Sequence, residues 1–403
     1  MPVDYDPKSA DVIADPFPIL RRLQAEEPVH WSPILRAWVL TRYADVKASL
    51  SDARLSADRI TPFLRHERRD GMTAIQELAK ALGLWALFTD PPRHTRLRGP
   101  MTRVLTPRSI ERLRPRVQEI VDELLDRVAP DGRIDLIRDL ANPLPVAVIG
   151  ELLGVPAEDR PRLKAWSDDL AGFIGSAVAS PDKYARAAQS VLQMNEYFGR
   201  LLARRRAEPR RDVVSALLVA GEAPDALTDD EIVATCVLLL FAGHETTSNL
   251  IGNGVIALLR NRDQYEAWRK DPALTPSAVE ELTRYDGPGQ GLVRVAAASV
   301  EINGATLEKG SRVFLMINAA NRDPREFREP DALRLARRDN HHLTFGYGAH
   351  FCAGAPLARL EAQIALPTIL GRLQNLDFAT ERLEWTDSLI FRGVTSLPLS
   401  FDA

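Results

Sequence analysis

Apolar residues recur at helical spacing through the middle of the chain. Between Pro107 and Ile256 they lie mostly three or four residues apart, with prolines as the main interruptions, which is the spacing of one buried helix face. The segment from Arg186 to Arg206 behaves in the same way. The clearest run comprises Ile110, Leu113, Val117, Ile120, Val121, Leu124 and Leu125. The pattern therefore predicts that this part of the protein is mainly α-helical.

One predicted helix is unusually long. It begins at Thr228-Asp229-Asp230-Glu231, where the threonine hydroxyl can cap the glutamate amide and the glutamate can reach back to the threonine amide. Because no proline follows before Pro272, the helix can extend to about Arg260. Residues Cys236 to Ala242 are apolar on every side of this helix, so we expect it to pass through the core.

Alternating apolar and polar residues predict short strands near both ends of the chain. Helices are predicted at Arg42 to Leu50 and from near Pro356 to Leu373. The predicted strands are Val29 to Trp31, Trp38 to Thr41, Leu292 to Ala296, Val300 to Ile302 and Arg312 to Ile317, with a turn at Asn303-Gly304. Together these elements predict a mainly α fold with small β-sheets, arranged as one domain over residues 1–403.

The composition narrows the class of protein. Of the 403 residues, 45% are hydrophobic and 27% charged, and the net charge of −3 gives no basic balance for nucleic-acid binding. Two cysteines, Cys236 and Cys352, leave no disulfide framework and favour a reducing compartment. The first residues lack the features of a signal peptide, and no apolar run is long enough to cross a membrane. We therefore expect a soluble, cytoplasmic protein without nucleic-acid or membrane partners.

A glycine-rich segment around Cys352 carries the most specific chemistry. It is Phe345-Gly346-Tyr347-Gly348-Ala349-His350-Phe351-Cys352-Ala353-Gly354, and it leads into the helix predicted at Pro356. Its glycines allow positive φ and a close approach to a flat group, and amides at a helix N-terminus favour a thiolate. The residues alone leave three interpretations open: a thiolate metal ligand, a buried structural cysteine, and a catalytic pair of Cys352 with His350.

This segment resembles the haem-binding signature of the cytochrome P450 superfamily, with its phenylalanine, glycines, histidine and cysteine each in place. The resemblance implies a bacterial, soluble, ferredoxin-dependent type whose cofactor is haem b. It implies that Cys352 is the thiolate ligand of the iron, with Phe345, Gly346 and Gly354 in the same cofactor-binding loop. The likeness extends from about Val29 to the final Leu397-Pro398-Leu399. It implies that the haem lies between the long central helix and the helix that follows Cys352.

The long predicted helix carries a second motif, Ala242-Gly243-His244-Glu245-Thr246-Thr247. Taken alone, it describes an irregular core helix in which glycine costs about 1 kcal/mol relative to alanine. The missing side chain at Gly243 would leave room for a diatomic ligand, which places this glycine in the cofactor site. By resemblance this is the family's oxygen-activating motif, in which Thr246 steadies the bound dioxygen and Glu245 relays protons. His244 occupies a position that the family varies, and it receives no role.

A third motif is the acid–base pair in Glu281-Leu282-Thr283-Arg284. Pairs at this spacing usually lie on a helix surface and contribute a few tenths of a kcal/mol. By resemblance, Glu281 and Arg284 are instead a buried structural pair that supports the core beside the haem. Arg337 or His342 could complete their network.

The segment Asp90-Pro91-Pro92-Arg93-His94 opens a helix on which His94 and Arg98 share a face. Two haem propionates would need cations or hydrogen-bond donors if they are partly buried. Taken alone, each such residue would more ordinarily lie on the surface. By resemblance the propionate partners are His94, Arg98, Arg294 and His350.

The resemblance to the cytochrome P450 superfamily implies substrate contacts from several separate segments. Further contacts are expected within Ile60 to Phe88 and at Phe173-Ile174, and Gly287-Pro288-Gly289-Gln290-Gly291 predicts a loose pocket wall. The named candidates are Leu238, Ala242, Leu292, Val293, Ile390 and Phe391. Their apolar character predicts a hydrophobic small-molecule substrate, although each is equally compatible with ordinary core.

The resemblance implies a monomeric haem-thiolate monooxygenase that activates O2 and hydroxylates or epoxidises its substrate. Electrons would come from a ferredoxin and its reductase, with a basic docking surface formed by Arg93, Arg96, Arg103 and Arg359. Three alternatives stay open: a peroxide-driven peroxygenase of the same fold, a haem-binding sensor without turnover, and a cysteine hydrolase that needs no haem. The pair of Glu245 and Thr246 argues against the first, because such relatives often lack it.

Overall fold

The computed structural model describes residues 3–61, 73–175, 181–220 and 226–402. The helices are α1 (Ala10–Ala14), α2 (Phe17–Glu26), α3 (Tyr43–Ser51), α4 (Thr73–Leu82), α5 (Arg93–Val104), α6 (Pro107–Glu111), α7 (Arg114–Val128), α8 (Pro143–Leu153), α9 (Arg160–Ile174), α10 (Pro181–Ala207), α11 (Val213–Ala220), α12 (Asp229–Arg260), α13 (Arg262–Lys270), α14 (Thr275–Tyr285), α15 (Ile317–Ala320) and α16 (Ala355–Arg372). The strands are β1 (Val29–Ser32), β2 (Ala37–Leu40), β3 (Leu55–Ser56), β4 (Arg133–Asp135), β5 (Gly291–Ala296), β6 (Val300–Ile302), β7 (Ala305–Leu307), β8 (Arg312–Met316), β9 (Gln374–Phe378) and β10 (Pro398–Asp402). The protein is therefore mainly helical with small sheets, as the sequence predicts.

The central helix α12 begins with the predicted capping box. The Thr228 hydroxyl accepts a hydrogen bond from the amide of Glu231 at 3.3 Å, and the Glu231 carboxylate accepts one from the amide of Thr228 at 3.0 Å. The helix then continues for 32 residues to Arg260. Residues 232–241 are buried, and α12 packs against α8, α10 and α16. None of the helices in the described ranges is both long and apolar enough to span a membrane.

Three small sheets flank the helices. The largest has the strand order β1-β2-β8-β5-β3, with β2 and β8 parallel and the other neighbours antiparallel. A second sheet has the order β4-β10-β9, and β6 and β7 form a hairpin. Asn303 and Gly304 make the turn of that hairpin with φ of 48° and 78°, as the sequence predicts. Strands β3, β4 and β7, which have two or three residues each, were missed.

The buried pair predicted on α14 is present. Arg284 donates through Nε and Nη2 to the two carboxylate oxygens of Glu281, each at 2.8 Å, and both side chains are fully buried. Arg337 Nε donates to the same carboxylate at 3.0 and 3.1 Å, so Arg337 completes the network, whereas His342 bonds elsewhere. Arg284 also donates to main-chain oxygens within residues 321–330. The network thus fixes α14 to the segment that leads to the cysteine loop.

Candidate active site

Cys352 lies in a tight loop just before α16. Its amide donates to the carbonyl oxygen of Phe345 at 2.8 Å, which closes the loop. Gly346 and Gly348 have φ of 72° and 73°, the left-handed region that glycine adopts without steric cost. Gly354 does not use this freedom: its φ is −84°, and an added Cβ would lie 3.9 Å from Cys352 Sγ, an ordinary contact.

The sulfur of Cys352 is surrounded by groups that favour its ionised form. Desolvation raises the pKa of the thiol overall, and main-chain hydrogen bonds from Gly354 and Ala355 offset part of that rise. The nearby guanidinium groups of Arg98 and Arg359 act in the same direction as those amides. A sulfur held by helix-terminal amides and faced by cations is suited to bind a metal as a thiolate.

Four of the predicted cofactor-binding residues meet beside this loop. The rings of His94 and His350 lie 4.1 Å apart between centroids, and Arg98 donates to the carbonyl oxygen of Phe351. Desolvation, with His94 and Arg294 as neighbouring groups, lowers the pKa of His350 to about 4. Desolvation also lowers the pKa of His94, Arg98 and Arg294. The four groups therefore form one cationic, poorly hydrated cluster.

Arg59 belongs to the same cluster, and no motif in the sequence identifies it. Its guanidinium lies over the ring of Phe88, 4.7 Å from the centroid. Desolvation and the like charge of Arg294 lower its pKa to about 10. Only the fold brings Arg59, which follows β3, next to a strand more than two hundred residues later.

An accessible patch interrupts the buried length of α12. Ala242 is exposed and Gly243, Glu245 and Thr246 are half-buried, whereas residues 247–259 are buried again. The Thr246 hydroxyl donates to the carbonyl oxygen of Ala242 at 3.2 Å. Glu245 lines a cavity of about 340 Å³. The two predicted catalytic residues therefore lie on a face of the central helix that side chains leave uncovered.

Gly243 has a packing role that the sequence does not predict. An added Cβ would lie 3.1 Å from Ile149 Cγ1 and 3.3 Å from its Cδ1, tighter than ordinary contact. Ile149 belongs to α8, so the missing side chain lets α8 approach α12 closely. The structure therefore gives a packing reason for the missing side chain, and the room that it would leave for a diatomic ligand stays a prediction.

The predicted substrate residues occupy different environments. Leu238 and Ile390 are buried at 5% and 8% exposure, which favours the alternative that they are core. Ala242 is exposed, and Leu292, Val293 and Phe391 are half-buried. Phe391 packs edge-on against Phe241 with centroids 6.3 Å apart. Of the predicted segment from Ile60 to Phe88, residues 62–72 lie outside the described residues.

Hydrogen bonds of Gln290 hold in place the pocket wall that the sequence predicts to be loose. Its side-chain amide donates to the carbonyl oxygens of Ser388 at 2.7 Å and Phe391 at 3.0 Å. Its main-chain amide donates to Ile390, and Gly289 pairs with Phe391 as an isolated bridge. These bonds tie the entry to β5 to residues 388–391, and the prediction of a loose wall is wrong.

The model of the family described as cytochrome P450 matches residues 65–384. The chain belongs to the cytochrome P450 family. It is 42% identical to cytochrome P450 107B1 of Saccharopolyspora erythraea over 375 residues, which cover 91% of this chain and 89% of that one. It is 40% identical to cytochrome P450 monooxygenase PikC of Streptomyces venezuelae over 406 residues, with coverage of 98% and 94%.

The fold agrees with that of solved members of the family. The crystal structure of P450BioI in complex with a hexadec-9Z-enoic acid-ligated acyl carrier protein matches with a TM-score of 0.91 and 36% identity. The match covers 98% of this chain and 99% of that chain. Likeness at this level over nearly the whole length shows that this P450 is an enzyme of the monooxygenase kind.

The cationic cluster fits the haem that this P450 family carries. Both ring nitrogens of His94 are buried without a hydrogen-bond partner within the described part of the chain. The guanidinium groups of Arg98 and Arg294 lie near His350, and Arg59 lies near Arg294. Guanidinium groups bind carboxylates such as haem propionates well when partly buried. The residues present therefore fit the haem: Cys352 fits its iron, and the cationic cluster fits its propionates.

Proposed function

We propose that this P450 is a haem b monooxygenase that inserts one oxygen atom from O2 into a C–H or C=C bond of an apolar small molecule. The observation that carries the proposal is the sulfur of Cys352, held by the amides of Gly354 and Ala355 in a loop whose helix packs against α12. When bound, haem with a thiolate ligand supplies the chemistry of O–O bond cleavage. The half-buried patch around Thr246 gives a small oxygen-containing ligand a place against the central helix.

The residues of this chain have separate tasks in the proposal. Cys352 holds the iron, and Phe345, Gly346 and Gly354 shape the loop around it. The propionates are bound by His94, Arg98, Arg294 and His350, and Arg59 joins them. Thr246 can turn its hydroxyl from the carbonyl of Ala242 toward a bound ligand. Glu245 can hold a proton at its carboxylate, which borders a cavity where water can deliver it.

An apolar substrate is supported by the side chains that remain accessible. Ala242 lies on α12, Leu292 and Val293 lie on β5, and Phe391 lies near the C-terminus. All four are apolar; Ala242 is exposed and the other three are half-buried. The P450BioI structure, 36% identical, holds a hexadec-9Z-enoic acid chain on its carrier protein. One relative is named polyketide biosynthesis cytochrome P450 PksS, of Bacillus subtilis, which supports a role of this chain in secondary metabolism.

We propose that a ferredoxin and its reductase supply the electrons. We also propose that the protein is a monomer, forms one domain over residues 1–403 and is located in the cytoplasm. Arg93 and Arg103 are exposed on α5 and would contribute most to docking an acidic protein. Arg96 and Arg359 instead bond Glu231 and Glu280, so their charge is partly neutralised. The basic surface is therefore narrower than the sequence predicts.

The deciding experiment is the absorption spectrum of the reduced protein under carbon monoxide, for wild type and Cys352→Ser. A strongly red-shifted Soret band that disappears in the variant supports thiolate ligation. An unshifted band in the wild type would favour a haem-binding sensor. Turnover with hydrogen peroxide but not with ferredoxin and reductase would favour the peroxygenase alternative. Activity that survives haem removal would favour a hydrolase at Cys352.

A further inference from the structure

A buried histidine and two carboxylates from two helices meet at the wall of one cavity. His244 and Glu245 lie on α12, and Asp168 lies on α9. His244 Nε2 is 3.3 Å from Asp168 Oδ1 and 3.9 Å from Glu245 Oε2. One ligand atom from each residue lies within 4.8 Å of the other two. The sequence assigns no role to His244 or Asp168.

The ring of His244 is oriented by its other nitrogen. Nδ1 lies 3.3 Å from the Ser167 hydroxyl and 3.4 Å from the carbonyl oxygen of Leu240, both of which can accept a hydrogen bond from it. A metal ion would take the place of the proton that Nε2 shares with Asp168 Oδ1, and the ring would then hold its proton on Nδ1 and direct the lone pair of Nε2 to the ion. This is the arrangement that outer partners impose on a metal-bound histidine. His244 is 1% exposed, so the orientation is fixed by packing.

The spacing of the three groups suits a small transition-metal ion. Ligand atoms about 2.1 Å from a tetrahedral ion lie about 3.4 Å from one another. The two distances from Nε2 bracket that value, and the carboxylate oxygens of Asp168 and Glu245 lie within 4.8 Å of each other, so the two carboxylates would close around the ion. The adjoining cavity of about 340 Å³ is lined by Asp168, Glu245 and Asn249, and it has room for water as a further ligand.

Charge at the cavity is mixed, and one group opposes a cation. Lys164 Nζ donates to Asp168 Oδ2 at 2.6 Å, and desolvation of Asp168 is outweighed by its bonds to His244 and Lys164, which lower its pKa. Asp387 also lines the cavity and adds negative charge. Asp168 Oδ1 stays directed at His244, so an ion can bind without displacing Lys164 from Oδ2.

We propose that Asp168, His244 and Glu245 form a binding site for a divalent transition-metal ion, with Zn²⁺ as the best-suited ion. One imidazole and two carboxylates are a donor set that zinc accepts, whereas magnesium and calcium prefer oxygen ligands alone. Bound zinc would hold the carboxylate of Glu245 and slow turnover; that consequence rests on the function proposed above. Zinc binding itself does not.

The test measures Zn²⁺ binding to the untagged, haem-loaded enzyme after removal of metals with a chelator and gel filtration. Competition with a colorimetric zinc chelator gives the affinity and the stoichiometry. We expect one Zn²⁺ per chain, at least tenfold weaker binding in Asp168→Asn and Glu245→Gln, and severalfold tighter binding in Lys164→Met. Mg²⁺ should not displace the zinc.

Asp169→Asn is the matched control, because Asp169 is the adjacent residue on α9 and bonds to Ser190 instead of to the cluster. It should keep the wild-type affinity. Absence of stoichiometric binding, or wild-type affinity in Asp168→Asn, overturns the proposal. If Asp168→Asn does not fold, Lys164→Met decides, because unchanged or weaker binding there contradicts the site. The carbon monoxide spectrum of each protein reports the haem site separately, so failure of either proposal is recognised on its own.

Discussion

The rings of His94 and His350 lie 4.1 Å apart between centroids and are tilted by 39°, although one lies on α5 and the other in the cysteine loop. Neither nitrogen of His94 has a hydrogen-bond partner within the described residues, and the pKa of both histidines is lowered, first of all by desolvation. Two neutral imidazoles beside guanidinium groups can donate hydrogen bonds to the oxygens of a bound acid. Their proximity therefore indicates a binding site for acidic groups, as the haem propionates require.

The stability of the haem-free protein should fall in acid because of His350. Its pKa in the folded state, about 4, is below the ordinary value of 6.5, so between these values the unfolded state binds more protons. The stabilisation is complete above about pH 6.5 and is lost as the pH falls toward 4. Urea unfolding midpoints across this range measure the loss. His350→Phe should flatten the dependence, and equal slopes for both proteins would contradict the assignment.

Glu281→Gln should be severely destabilising. It removes the charge that neutralises Arg284, whose side chain is 0% exposed, and breaking a buried pair in this way costs about 3–5 kcal/mol. Thermal unfolding of the haem-loaded protein measures the effect. Glu280→Gln is the control, because Glu280 pairs with Arg359 at the 27%-exposed edge of the same helix. An equal loss in both variants would show that burial is not the cause.

Gly243→Ala should destabilise the protein by about 1–3 kcal/mol through overpacking. The added methyl group meets Ile149 at 3.1 Å. Ile149→Val removes one of the crowded atoms, so the double variant should recover part of the loss. Unfolding free energies of the two single variants and the double variant form the cycle. Additive losses without recovery would mean that α8 is not the obstacle.

Thr246→Ala should uncouple O2 consumption from product formation severalfold. The variant removes the hydroxyl that bonds Ala242, at the accessible patch on α12. Product formed per O2 consumed measures the coupling once a substrate has been found. Thr247→Val is the control, because Thr247 is 3% exposed and its hydroxyl bonds Gly243 on the buried side. Coupling that falls equally in both variants would point to a disturbed helix instead.

Arg103→Glu should slow reduction by an acidic ferredoxin severalfold at low salt and less at high salt, because exposed charges are screened. Arg103 is exposed on α5, the helix that also carries His94 and Arg98. Stopped-flow reduction rates measure the effect. Arg200→Glu is the control, since Arg200 lies on α10, which packs against α9 and α12. An equal effect of both substitutions would exclude docking at α5.

Local sequence determined the features that depend on neighbouring residues. The capping box at Thr228, the length of α12, the turn at Asn303-Gly304 and the loop around Cys352 each follow from residues a few positions apart, and the structure contains all of them. The burial of the pair of Glu281 and Arg284 follows from the resemblance to the cytochrome P450 family. These features are local, so their physical causes are visible in the sequence.

The tertiary structure alone decided which distant residues share an environment. Arg59 lies near Arg294, and the missing side chain of Gly243 makes room for Ile149, because elements far apart in the chain pack together. Asp168 meets His244 for the same reason, across two helices. No pattern within one segment of the sequence predicts such contacts, since each contact also depends on where the fold places the partner helix or strand. Sequence thus determined the family and its motifs, and packing determined what those motifs touch.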